Sequence, residues 1–368
     1  MHDDQLREQF TTWAQPLQAA RPPALPVLRR RARRRIAGRA TVCGLAVLGA
    51  VAVIAVSVFP RAGQAPAQAP TLGGVPRYAV ALGRIAGGAG AVLDPATGKI
   101  LGTVPTPTPL SDFQWVAAAA DDRTFVLAEQ PRAAALRFYL LHLAANGKPG
   151  ELTRLNVPPL RDAQIYGMAL TADASELAVA WLHGPAGPVS GHISVTTLAT
   201  GATRIWTSAH GNPTAVSWAG DRTLAFGWQD TTDQARSGVR LLDTAAPGAS
   251  PLASRLIIPA GFRAGGLSAP GNPLITQDGS TVFATMASGT KTAVVRFSAR
   301  TGKLEAVLTR PARSVPFCGV LWTDPHGRHL LTQCGITQTS IDGGHRIPIH
   351  LHQLIPASPI GYANTFAW

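Results

Sequence analysis

The chain has 368 residues and a formal charge of +13, from 33 Lys and Arg against 20 Asp and Glu. Charged residues are only 14%, while there are 37 Gly and 30 Pro. A charge-rich disordered chain and a coiled coil are excluded, and the presence of one long apolar run instead of several excludes a polytopic membrane protein.

The charge is concentrated at the start. Residues 1–39 hold nine Arg and three acids, and seven of those Arg form a cluster: Arg29, Arg30, Arg31, Arg33, Arg34, Arg35 and Arg39. Upstream, Leu6, Phe10, Trp13 and Leu17 recur at helical spacing, which predicts a short amphipathic segment limited by Pro16. It suits the inner leaflet or a cytoplasmic partner. Such an Arg cluster could grip nucleic-acid phosphates, but its position argues for another role.

Residues 40–60 follow without a single charge. As a helix these span about 31 Å, matching a hydrocarbon core of about 30 Å. The sequence therefore predicts one transmembrane helix, with the Arg cluster as membrane-flanking basic residues. The excess of Arg before the helix places residues 1–39 in the cytoplasm and everything beyond residue 60 outside the membrane. A cleaved secretory signal has a shorter basic region and a shorter apolar region, so the segment reads as an uncleaved anchor. No nucleic-acid partner is expected.

Residues 61–73 form a Pro/Ala linker, and the remainder, 74–368, shows short β-type runs between turns. Two turn types alternate. The first carries an Asp between apolar runs, as in Asp121-Asp122-Arg123, Asp173-Ala174-Ser175, Asp221-Arg222, Asp278-Gly279-Ser280 and Asp324-Pro325-His326-Gly327. With Phe125, Leu177, Leu224, Val282 and Leu330 as equivalent positions, the steps are 52, 47, 58 and 48 residues. A repeat of four strands needs about 40–50. The second turn places Gly after Asp, Thr or Asn, around Gly98, Gly147, Gly201, Gly248, Gly302 and Gly343. Gly supplies the positive φ of a hairpin turn. Six second turns against five first turns leave one repeat without a first strand. The segment Tyr362 to Trp368, whose end matches Val216-Ser217-Trp218 in pattern, is expected to supply it and to pair near Arg77 to Ala81.

On these motifs, residues 74–368 resemble a six-bladed β-propeller of the WD40-like or TolB-like kind, closed by strand exchange. The whole resembles single-pass actinobacterial membrane proteins with an Arg-rich cytoplasmic start and an outer propeller. The resemblance implies an all-β fold after one N-terminal transmembrane α-helix. The Gly-His and Trp-Asp signatures of WD40 repeats are missing from these repeats.

Cys318 and Cys334 flank the first turn of the last repeat. Centred on His326, that hairpin would set them opposite each other, and a disulfide is expected in an oxidising compartment. His326-x-x-His329 and His350-x-His352 lack further ligands at a convincing spacing, so neither a metal nor a cofactor is expected. Trp181, Trp228, Met286 and Cys334 share one repeat position and are expected to pack between repeats. No nucleophile elbow, phosphate loop or zinc-protease motif is present, so catalysis is not expected.

The loops between second and third strands vary most in length. Their polar residues His183, His192, Asp230, Asp233 and Arg236 are the candidate contact surface. The function expected is a membrane-anchored, extracytoplasmic binding or scaffold module, with a protein or envelope polymer as partner on its outer face. Two alternatives stand beside it. One is a transmembrane sensor whose N-terminal helix holds a cytoplasmic regulator such as a sigma factor, although residues 1–39 lack the ligands of a zinc anti-sigma domain. The other is a propeller hydrolase or lactonase.

Overall fold

The computed structural model describes residues 76–85, 88–95, 97–106, 112–130, 135–183, 190–288 and 291–308, with the short stretches 320–323, 329–332, 337–340, 346–348 and 366–367. All belong to one compact unit, Phe59–Trp368. The Arg cluster, the expected membrane helix, the linker, Cys318, Cys334, His326, His350 and His352 lie outside the described residues. Among the described residues no helix is long and apolar enough to cross a membrane.

The described chain is all-β, with two 3-10 turns and no α-helix. Its strands group into six antiparallel sheets. Sheet I contains β1 (Ala79–Ile85), β2 (Gly88–Leu93) and β3 (Ile100–Val104). Sheet II is β4 (Asp112–Ala118), β5 (Thr124–Gln130), β6 (Arg137–Leu143) and β7 (Pro149–Arg154). Sheet III is β8 (Ala163–Leu170), β9 (Glu176–His183), β10 (Ser190–Thr197) and β11 (Thr203–Ser208). Sheet IV is β12 (Asn212–Ala219), β13 (Thr223–Gln229), β14 (Gly238–Asp243) and β15 (Arg255–Pro259). Sheet V gains an unforeseen edge strand: it is β16 (Arg263–Ala264), β17 (Leu267–Ile275), β18 (Thr281–Ser288), β19 (Lys291–Ser298) and β20 (Leu304–Val307). Sheet VI is β21 (Val320–Thr323), β22 (His329–Thr332), β23 (Thr337–Ser340) and β24 (Arg346–Pro348). The last strand, β25 (Phe366–Ala367), returns to sheet I and sets Ala367 opposite Val80.

Each expected turn that lies among the described residues falls between the strands it was expected to join, while the turns at Asp324 to Gly327 and around Gly343 lie outside them. In the first turns a carboxylate ties the bend: Asp121 accepts from the amides of Arg123 and Thr124 at 3.0 and 2.8 Å, Asp173 from Ser175 at 3.0 Å, and Asp278 from Ser280 at 2.9 Å. A short side chain that bonds two residues on mimics a backbone turn. Second strands such as β9 and β13 are buried along most of their length, because sheets III and IV each carry a hydrophobic cluster on both faces. They therefore read as continuous apolar runs instead of alternating ones. The core is accordingly divided into clusters lying between successive sheets, for example Trp115, Phe138, Ile165 and Trp181 between sheets II and III.

Adjacent sheets are also clasped at their outer edges. Arg204 on β11 donates to the carbonyls of Thr244, Ala246 and Gly248 in the β14–β15 turn at 2.8, 2.5 and 3.2 Å. Arg255 on β15 donates to Ala299 and Arg300 in the β19–β20 turn at 3.0 and 2.9 Å. The glycine of that turn, Gly302, has φ +67°, and a Cβ there would collide with the carbonyl oxygen of Ile257. The glycine thus serves both the turn and the docking of the preceding sheet.

Candidate functional site

In each complete sheet the first and third turns lie at one end, and the loops joining second to third strands lie at the other. The five candidate residues sit on this loop end of sheets III and IV, in two groups.

The first group surrounds Trp181 on β9. In the β9–β10 ladder His183 faces Ser190, and Trp181 faces His192. The His192 ring stacks on the Trp181 indole with centroids 4.0 Å apart and planes 14° from parallel. His183, exposed at the end of β9, lies edge-on to both, 6.3 Å from Trp181 and 6.4 Å from His192. His192 is oriented at both nitrogens, by the Ser190 hydroxyl at Nε2 (2.8 Å) and the Thr207 hydroxyl at Nδ1 (3.0 Å). Burial, with a smaller contribution from His183, holds the His192 imidazole below its ordinary pKa, so the neutral ring is favoured. Trp181 Nε1 is buried without a hydrogen-bond partner among the described residues.

The second group is the loop from Asp230 to Ser237. Asp230 Oδ1 accepts from the amide and hydroxyl of Thr232 and from the amide of Asp233, all within 2.8–2.9 Å, and its own amide donates to Ser237 Oγ at 2.8 Å. Burial pushes the Asp230 pKa up, but these bonds and the nearby Arg236 charge outweigh it and hold the carboxyl below its usual range. Asp233 caps the short 3-10 turn Gln234–Arg236 and pairs with Arg236 at 3.2 Å. From below, the buried Arg240 guanidinium grips the Arg236 carbonyl through Nε and Nη2 and donates from Nη1 to Leu252 and Ser254. Burial lowers its pKa. The acidic members of this loop are largely committed to its own architecture, so it is a pre-ordered surface feature. The two groups are not brought together into one constellation by any contact among the described residues.

The repeat position of Trp181, Trp228 and Met286 packs between sheets as expected, with those side chains 8%, 1% and 0% exposed. Counting four residues on from Phe125 places Glu129 at the same position in sheet II, and it is fully buried. It accepts from Tyr139 Oη at 2.9 Å. Burial, and then the Glu129 carboxylate, raise the Tyr139 pKa. Extending the alignment back by one repeat would have found this buried acid. A separate hollow of ≈ 400 Å³, lined by Arg154, Asn156, Val157, Pro158, Pro159 and Gly201 among others, opens where the β7–β8 connection meets the β10–β11 turn, away from the candidate residues. Among the described residues no group of three or more His, Cys, Asp or Glu is arranged to hold a metal ion.

In sheet VI the ladder sets Thr323 opposite Leu330, shifts register, and then sets Val320 opposite Thr332.

No family model matches the chain, and no curated protein matches its sequence. Solved structures with similarity include the periplasmic gluconolactonase PpgL of Pseudomonas aeruginosa, 15% identical over 73% of this chain and 94% of that one, with a TM-score of 0.44. A structure from Agrobacterium tumefaciens named for TolB is 12% identical over 65% and 79%, at 0.43. The Cps50 (Swd1) β-propeller domain of Myceliophteria thermophila is 14% identical over 72% and 76%, also at 0.43. Likeness at this level carries no functional inference.

Proposed function

We propose that the six sheets are the blades of a six-bladed β-propeller, tethered outside the membrane by the apolar segment 40–60, and that the molecule is a non-catalytic binding or scaffold module. The ring is supported by contacts between first strands: β4 lies against β8, β8 against β12, β12 against β17 and β17 against β21, while β25 touches both β21 and β4. Pairing of β25 with β1 is what strand-exchange closure requires. A Cys318–Cys334 bridge would staple the sixth blade, and the pairing of Val320 with Thr332 is consistent with it.

The observation that carries the binding reading is the pre-ordered loop end, where Asp230 to Ser237 is fixed by its own hydrogen bonds and by Arg240. A surface ordered before contact loses little entropy on binding. The chain enters the sheets at the opposite end, where the Arg77 amide meets Asp122 at 3.3 Å beside the first turn of sheet II. A tether leaving there frees the loop end for a protein or envelope polymer outside the cell membrane.

Mild crosslinking in native membranes, comparing the full chain with one lacking residues 1–28 but keeping the Arg cluster, tests this. Outer-face partners retained by both forms are expected. A cytoplasmic partner lost with the deletion would replace this reading by the sensor one.

A further inference from the structure

We propose that the loop end of sheet III binds a divalent transition-metal ion of the imidazole-preferring class, Zn²⁺ or Cu²⁺, through His183 and the Nε2 atom of His192. The two residues are diagonal neighbours on adjacent antiparallel strands, since His183 faces Ser190 and His192 lies two residues further along β10. Diagonal side chains share a face and are within reach of one another. Their ring centres are 6.4 Å apart with planes at 86°. Two imidazoles on one tetrahedral ion, with N–metal bonds of about 2.0–2.1 Å, place their ring centres about 5 Å apart. Side-chain rotation of the exposed His183 spans that difference.

The setting of His192 matches what a ligating histidine needs. A metal-bound imidazole has its other nitrogen donating to an oxygen, which selects the tautomer and aims the lone pair. Here Nδ1 meets the Thr207 hydroxyl at 3.0 Å, while Nε2 is turned toward Ser190, the residue directly across from His183. Stacking on Trp181 holds the ring plane. On binding, the Ser190 hydroxyl turns from Nε2 to the ion or to a water on it. Two nitrogens and a hydroxyl leave coordination positions to water, so the site is open and exchangeable, with Cu²⁺ preferred over Zn²⁺. This inference does not depend on the proposed binding partner.

Cu²⁺ is the probe, titrated into the full chain in detergent micelles by calorimetry and electron paramagnetic resonance. His183→Ala is expected to remove one equivalent of bound Cu²⁺ and its two-nitrogen signature while leaving the unfolding midpoint unchanged, because the residue is exposed. Thr207→Val is expected to weaken that equivalent about 10- to 100-fold, and Thr207→Ser to restore it, which a merely structural role for Thr207 would not do. The double variant His350→Ala/His352→Ala is expected to keep the site. Wild-type stoichiometry and affinity in both His183→Ala and Thr207→Val would overturn the proposal.

Discussion

Replacing Arg204 by Ala tests whether the outer edges of sheets III and IV are clasped by a guanidinium. The wild-type side chain makes three bonds to the carbonyls of Thr244, Ala246 and Gly248, and its guanidinium lies 4.7 Å over the Trp206 ring. A hydrogen bond from a charged donor contributes about 1.5–3 kcal/mol. These acceptors are turn carbonyls within reach of water, so the lower figure applies to the two short bonds and the third adds little. Stacking contributes about 0.5–1 kcal/mol. The expected loss is about 3.5–4 kcal/mol, read from equilibrium urea unfolding as a lower midpoint at unchanged slope. Arg204→Lys keeps the charge but not the fork that spans three carbonyls, and is expected to fall between wild type and Ala. Arg255 clasps a different pair of sheets, so Arg204→Ala and Arg255→Ala are expected to add. An Arg204→Ala loss below about 0.5 kcal/mol, the range of an ordinary surface change, would refute the clasp.

Gly302→Ala forces a Cβ against the Ile257 carbonyl at φ +67°, and is expected to cost at least about 1–2 kcal/mol in the same unfolding assay. Ala174 holds φ +59° in the first turn of sheet III; Ala174→Gly is expected to raise stability by up to about 1 kcal/mol, the left-handed strain relieved less the added freedom of the unfolded chain. Asp173 is held below its usual range because, against burial, the hydroxyl and amide of Ser175 and the Thr171 hydroxyl favour its charged form. A depressed acid contributes stability that is present above its unfolded pKa and lost as pH falls through the folded one. Asp173→Asn is therefore expected to be less stable than wild type at neutral pH, with the two converging in acid, as followed by thermal unfolding across pH.

Repeats, turns and strand positions were legible in the sequence because they rest on local chemistry. A Gly that takes positive φ and an Asp that bonds its own turn announce themselves wherever they occur, and apolar runs of strand length between them leave one arrangement of hairpins. The packing role of Trp181, Trp228 and Met286 followed from their shared repeat position. What was not legible depended on partners distant in the chain. Asp230 and Asp233 look like free polar loop residues, yet they are committed to an internal network, with the loop's Arg236 carbonyl held by Arg240 from beneath. His183 and His192, nine positions apart, become neighbours only when the β9–β10 register is set, and Thr207 joins them from a third strand. Glu129 looks like a surface acid at the end of a strand, yet it is fully buried and accepts from Tyr139 on the next strand. Local preference follows from a residue and its near neighbours, whereas burial, hydrogen-bond partners and proton affinity depend on which sheet comes to lie against it.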